Sequence, residues 1–296
     1  MSHRSVLLEE SLEGLHLKIG DMLLNGTLGG GGIEREVLKH YGEGIVVLSL
    51  DADEGAIEKA REEFPARKNL HFFHENFRNL DVVLENYFGT KEEVLDGASF
   101  DLGLSSDQLE HSGRGFSFQK EEPLRMTLSA HPSLDDLTAE KIVNEWSEEE
   151  IANVLYELGE EKKSRRIAKA IVEARRNKRI TTTKELAEVV EKASPRRGKI
   201  HPATKTFQAL RIAVNGELTA LKSALEHSLL GLRKGRRVAV ISFHSLEDRI
   251  VKKFFKEKAL ENELAIITKK PIVPTRAEMK DNPRSRSAKL RIAEKI

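Results

Sequence analysis

At 296 residues, with 33% charged and only 5% aromatic side chains, the chain is long enough for one large α/β domain or for two domains with sizeable cores. It has no cysteine, which excludes disulfides, thiolate metal sites and a cysteine nucleophile, and no run of 18 apolar residues, which argues against a membrane span. The net charge is +1 but unevenly placed: residues 135–161 carry 10 acidic side chains and one lysine, and residues 162–211 carry 16 Lys or Arg against 4 Glu. That basic excess suits a polyanion such as RNA, and suits a solvated helix pair about as well. The first fifteen residues lack the apolar core of a signal peptide, so a cytoplasmic location is expected.

Along the chain, an apolar run at residues 22–24 ends in Asn25, and Gly26-Thr27-Leu28-Gly29-Gly30-Gly31-Gly32 then leads into a helical pattern at 34–39. A strand that feeds a helix through glycines is the first βα turn of a nucleotide-binding sheet. The spacing is not the dinucleotide fingerprint and no GK[ST] follows, so a phosphate-cradling loop is not expected. Strands are predicted at 44–51, 70–74, 98–104 and 237–243, with helices at 56–64 and 82–88 between the earlier ones. This order argues for a parallel, doubly wound α/β sheet.

The long interval before the last of these strands must itself be folded. Helical spacing at 137–144, 148–158, 163–176 and 185–193 predicts an inserted helical domain over residues 107–200, leaving 1–106 and 201–296 as a discontinuous sheet domain. Thr181-Thr182-Thr183 supplies a capping hydroxyl. One long helix, 206–230, is expected to lead back to the sheet and to end at Gly231 or Gly235. Residues 264–268 and 289–293 read as an antiparallel pair at the sheet edge.

Ligands bind beyond the carboxyl ends of strands in open α/β sheets. There the sequence offers Asp51, whose carboxylate suits a ribose diol, and Asp53, a better helix cap. Phe77 is either an adenine-stacking ring or a core residue. Asp101, Ser105 and Gln108 can accept a proton or read a base edge. These residues describe an adenosine site without phosphate machinery, which favours S-adenosylmethionine over NAD or ATP.

A set of stretches then runs through the whole chain in order. It includes His3-x-Ser5-Val6-Leu7-Leu8-x-Glu10, the glycine loop, Asp101-Leu102-Gly103-x-Ser105-Ser106-x-Gln108-Leu109, and Arg114-Gly115-Phe116-Ser117-Phe118. It continues through Gly159-Glu160-Glu161, His201 to Asn215, Ser242-Phe243-His244-Ser245-Leu246-Glu247-Asp248-Arg249 and Asn282-Pro283-Arg284-x-Arg286-Ser287. In these the chain resembles the bacterial MraW (RsmH) family, S-adenosylmethionine-dependent methyltransferases acting on cytosine N4 of small-subunit (16S) ribosomal RNA. The resemblance implies a Rossmann-like class I methyltransferase sheet with an inserted all-helical domain for substrate recognition.

It further implies that Gly31, Gly32, Ile33, Asp51, Phe77, Asp101 and Gln108 line the donor site. Asp101, with Ser105 or the Gly103 carbonyl as substitutes, is the expected catalytic acceptor for the amine proton. Phe116 and Phe118 are candidates for stacking on unpaired bases. Arg114, His201, Lys205, Arg211, His244, Arg249, Arg284 and Arg286 are candidates for contacts with 16S rRNA, and each is about as well read as a surface ion pair. No metal and no membrane partner are expected, and a homodimer stays open. The chain departs from the family pattern at Asn25, Ile33, Arg125 and Thr127, which keeps in view an alternative: a weakened homologue that binds the small subunit.

Overall fold

A computed structural model of the chain describes residues 5–65, 67–196, 198 and 201–296. The motif residue His3 lies outside them. The chain divides into two compact units, residues 1–104 with 218–296 and residues 105–217.

The first unit is built on seven strands: β1 (Met22–Asn25), β2 (Val46–Asp51), β3 (Leu70–His74), β4 (Leu95–Asp101), β5 (Leu232–Ser242), β6 (Leu264–Ile266) and β7 (Lys289–Lys295). Their order across the sheet is β3-β2-β1-β4-β5-β7-β6. The first five are mutually parallel, β7 runs antiparallel to β5, and β6 antiparallel to β7. The order reverses at β1, where the first two crossovers go one way and the third goes the other. The C-terminal ends of β1, β2 and β4 therefore meet around a topological switch point.

Successive residues of the central strands point into different cores. Leu23, Val47 and Ile241 belong to one apolar cluster, and their neighbours Leu24, Leu48 and Val240 to the other. A sheet buried on both faces needs near-continuous apolar strands, which is why these runs are legible in the sequence. Helices Leu8–Leu15, Gly32–Tyr41 and Glu54–Glu63 bury residues in one cluster, and Leu80–Phe88, Glu217–Gly231 and Ser245–Leu260 in the other.

β4 and β5 both start earlier than the apolar runs predict. Asp96, buried in β4, pairs with Arg233 and Arg236 of β5, and the Arg236 guanidinium also grips buried Asp21 at 2.8 and 2.9 Å. Charged residues thus extend the ladder where hydropathy alone ends it. The expected edge pair at 264–268 and 289–293 is present as β6 and β7.

Among the described residues, the regular elements of the second unit are helices: Ser106–Glu110, Ala139–Glu145, Glu148–Glu157, Ser164–Asn177, Thr183–Ala193 and Ala203–Asn215. Thr182 caps the helix Thr183–Ala193 in a reciprocal capping box with Glu185. Ile167 and Ile171 are fully buried, as the helical stripe predicts. The unit differs from the expected 107–200 by running on to Glu217. Helix Ala203–Asn215 packs on Ala139–Glu145, Glu148–Glu157 and Thr183–Ala193, so it belongs to this unit. The expected single helix 206–230 is correspondingly two helices. Gly216, at φ +59°, takes the left-handed conformation that closes the first, and Glu217 starts the second.

Candidate functional site

In the first unit, the site grows from the loop between β1 and helix Gly32–Tyr41. Most of the loop's amides are already spoken for. Gly26 N–H donates to Ser99 O, Thr27 to Asn25 Oδ1, Leu28 to Leu50 O, Gly29 to Asp51 Oδ2 and Gly31 to Leu28 O. A phosphate would find few free donors there. The first turn of the following helix also carries an acidic residue, Glu34, whose carboxyl is buried against Asn25 and Ser49. The loop is thus shaped by hydrogen bonds without serving as a phosphate cradle.

The glycines of the loop do different jobs. A Cβ on Gly32 would collide with Ser5 Oγ and one on Gly31 would press the Phe64 ring, so both are glycine to let protein pack against the loop. A Cβ on Gly29, at φ +53°, would meet nothing within 4 Å. Gly29 is therefore where the backbone borders open space, beside Asp51. The family resemblance singles out Gly31 and Gly32, and nothing in a run of four glycines marks Gly29, which only the space around its backbone points to. Ile33 is a correction: it is 7% exposed and packed in the core with Val6, Leu28 and Val37, so its side chain does not face a ligand.

Asp51 ends β2 and accepts from Gly29 N–H (2.9 Å) and Asp53 N–H (2.9 Å). It thereby ties the glycine loop to the next helix, which Asp53 caps as expected. Phe77 is half-buried and meets Phe100 edge-on at 6.1 Å, packed against the core.

Asp101 stands at the end of β4. Its N–H donates to Thr27 Oγ1 at 2.7 Å, which fixes it to the glycine loop. Its Oδ1 is enclosed and has no hydrogen-bond partner among the described residues. Burial, reinforced by the nearby charge of Glu247, pushes its carboxyl up to about 7. A carboxyl poised near neutrality beside an open loop is suited to take a proton.

Glu247 itself is buried. Its Oε2 accepts from Phe243 N–H (2.8 Å) and His244 N–H (3.2 Å) at the start of helix Ser245–Leu260. His244 is the cap of that helix: its Nδ1 accepts from Glu247 N–H, and its Nε2 lies 3.0 Å from Glu247 Oε1. The expected substrate contact His244 is thus, in this structure, engaged as a helix cap against Glu247. Arg249, Arg284 and Arg286 are exposed.

In the second unit, Ser105 Oγ accepts from Gln108 N–H (3.1 Å) and Gln108 Oε1 accepts from Ser105 N–H (2.9 Å). This capping box engages the groups that the sequence offers to a ligand. Arg114 and Phe116 are also corrected: each is 6% exposed, the guanidinium lies 5.4 Å from the Phe116 ring centre, and it donates to Leu128 O. They hold a loop together and do not face solvent. Arg211 is held by Glu217 in a two-pronged ion pair at 2.8 Å for each prong. Lys205 is exposed but donates to Glu160 O at 2.8 Å. Phe118, half-buried, stacks on His201 at 4.5 Å with the rings 22° apart, and Phe207 closes the group edge-on. Arg165, Arg166 and Arg176 on the helix Ser164–Asn177 are exposed.

Two further residues carry the segment that holds Arg125 and Thr127. Met126, fully buried at φ +59°, is a backbone outlier for a non-glycine residue. Asn215 clamps it from both sides, donating to Met126 O (2.8 Å) and accepting from Leu128 N–H (2.9 Å). Asn215→Ala removes the clamp and is expected to lower stability by about 1–3 kcal/mol, measured by urea unfolding. Thr127 is buried and donates to Ser129 O, whereas Arg125 is exposed.

A family model described as the MraW methylase family matches residues 1–296. The chain is 42% identical to the ribosomal RNA small subunit methyltransferase H of Halothermothrix orenii, over 100% of this chain and 99% of that one. It is 44% identical to the protein of the same name from Caldicellulosiruptor saccharolyticus, over 99% of each. Among solved structures, it is similar to an rRNA methylase from Streptococcus thermophilus at 11% identity and TM-score 0.46, covering 100% of this chain and 99% of the other. On the whole-chain family match and these relatives, the chain belongs to the MraW methylase family.

Proposed function

We propose that the chain methylates the exocyclic N4 of a cytidine in 16S ribosomal RNA of the small subunit, in the cytoplasm, with Asp101 as the catalytic residue that takes the amine proton. As an MraW methylase it is a methyltransferase that uses S-adenosylmethionine. The observation that carries the assignment of Asp101 is its enclosed, unpartnered Oδ1 at the end of β4, tied by its N–H to the glycine loop.

The residues present fit that donor. Gly29 leaves open space beside the loop, and Asp51 offers a carboxylate for a ribose diol at the end of β2. Most of the loop amides are committed within the protein, which suits a ligand without phosphates. Bound S-adenosylmethionine supplies an electrophilic methyl group on a sulfonium.

The cytosine amine is a weak nucleophile because its lone pair is delocalised into the ring. As its nitrogen gains the methyl group it must lose a proton, and the Asp101 carboxylate receives it. The base must first be drawn out of its stack. In the second unit, the Phe118–His201 pair is the candidate stacking platform, and exposed Arg165, Arg166 and Arg176 are candidate phosphate contacts.

The alternative, a weakened homologue that only binds RNA, draws no support from the loop. Asn25 is hydrogen-bonded at both ends of its amide and Ile33 is core. The decisive test is incubation of small ribosomal subunits with tritiated methyl donor, followed by nucleoside analysis. Label in N4-methylcytidine is the expected result. Label in another nucleoside, or none, overturns the proposal.

A further inference from the structure

Asn25 and Glu34 are both 0% exposed and sit side by side beneath the glycine loop. Asn25 Nδ2 donates to Glu34 Oε1 at 2.7 Å, and Ser49 Oγ in β2 donates to the same oxygen at 2.6 Å. Asn25 Oδ1 accepts from Thr27 N–H at 3.3 Å, and Thr27 Oγ1 in turn accepts from Asp101 N–H at 2.7 Å. We infer that Asn25 and Glu34 form a matched pair of positioning residues, which set Asp101 for proton transfer through Thr27.

The amide of residue 25 has only one orientation that serves both neighbours. Glu34 Oε1 needs a donor and Thr27 N–H needs an acceptor, and an amide is the side chain that offers one of each. An aspartate there could satisfy Thr27 but would face Glu34 oxygen to oxygen. The two could coexist only by sharing a proton taken from solvent, which rising pH withdraws. Asparagine at 25 is therefore what glutamate at 34 requires.

Neither side chain can touch a ligand, because both are fully enclosed. Their influence on chemistry must run through Thr27, the residue that fixes Asp101. Burial pushes the Glu34 carboxyl above its ordinary range, its Oε2 has no partner among the described residues, and Arg35 is a charged group that opposes the shift. The inference rests on Asp101 as proton acceptor. Melting and binding of S-adenosylhomocysteine test the pair itself without that premise.

The experiment uses the full chain and four forms: unaltered, Asn25→Asp, Asn25→Asp/Glu34→Gln and Thr27→Val. Asn25→Asp is expected to melt lower and to bind S-adenosylhomocysteine at least about tenfold more weakly at pH 8, with both defects shrinking toward pH 6. The double variant reverses the polarity of the pair. The new amide nitrogen at position 34, in the place of Glu34 Oε1, donates one hydrogen to the new carboxylate at position 25 and the other to Ser49 Oγ, so melting should recover and binding should return to within about threefold of the unaltered chain at both pH values. Thr27→Val should bind within about threefold, yet lose about tenfold in kcat and shift the pH midpoint of methyl transfer. Normal binding and melting by Asn25→Asp at pH 8, or no recovery in the double variant, overturns the pairing. An unchanged kcat and pH midpoint in Thr27→Val overturns the link to Asp101, even where the pairing stands.

Discussion

Asp101→Asn is expected to lower kcat for methyl transfer by about 10²–10⁴-fold while leaving donor affinity nearly unchanged. The amide keeps the shape of the carboxyl and its backbone N–H still reaches Thr27, so the loop stays in place. What is lost is the carboxyl that can take a proton near neutrality. The unaltered chain should show a rate that rises with pH through about 7 and levels off above it, since the ionised form is the acceptor. Glu247→Gln removes the neighbouring charge that helps hold the proton on, so its midpoint should fall. Stability should move the opposite way to activity. The folded carboxyl binds its proton more tightly than the unfolded chain does, so its contribution to stability is full below pH ~4 and lost as pH rises through about 7. Asp101→Asn should therefore melt above the unaltered chain at pH 8 and close to it at pH 4. A variant with normal turnover would remove Asp101 from the chemistry.

Gly26→Ala is the second large effect, and it acts through packing. The added Cβ would lie 2.3 Å from the ring of Phe100, which is fully buried in β4 and backed by Phe77. The loop cannot simply lift away, because Gly26 N–H is bonded to Ser99 O at 2.9 Å. Overpacking of this kind costs about 1–3 kcal/mol, and more where neither side can yield. We expect a loss of about 3 kcal/mol in urea unfolding, with donor affinity falling as the loop is displaced. Phe100→Leu in the same chain gives the methyl group room and should restore part of both. If the double variant is no better than Gly26→Ala alone, the ring is not the obstacle.

How much of this is legible in the sequence depends on whether a residue's neighbours lie nearby along the chain. Leu23–Leu24, Val47–Leu48 and Val238–Ile241 announce buried strands because both faces of the sheet demand apolar side chains, and the caps at Asp53 and Thr182 are local. Arg114, Phe116 and Arg211 look like an RNA surface in a one-dimensional reading. Their real partners, Leu128 O for the first and Glu217 for the last, are supplied by the fold. Gly216 is easily passed over because Leu210, Val214, Leu218, Leu221 and Leu225 keep helical spacing across it, and only its left-handed backbone shows the break. Asn25 reads as a departure when set against the family pattern. Its pairing with Glu34 crosses a loop whose path no local pattern predicts.

The seating of β5 beside β4 has a consequence for synthesis of the chain. The two strands are neighbours in the sheet, yet residues 102–231 separate them. At translation speeds of roughly 5–20 residues per second, β4 emerges on the order of ten seconds before its partner. During that wait the nascent β3-β2-β1-β4 half presents an unpaired edge along a strand that ends up buried over almost its whole length, the kind of surface that recruits other chains. The unit at 105–217, whose regular elements among the described residues are helices, can fold within that interval. Its timing, as much as its surface, then bears on whether the sheet closes on itself or on a neighbour emerging from the next ribosome.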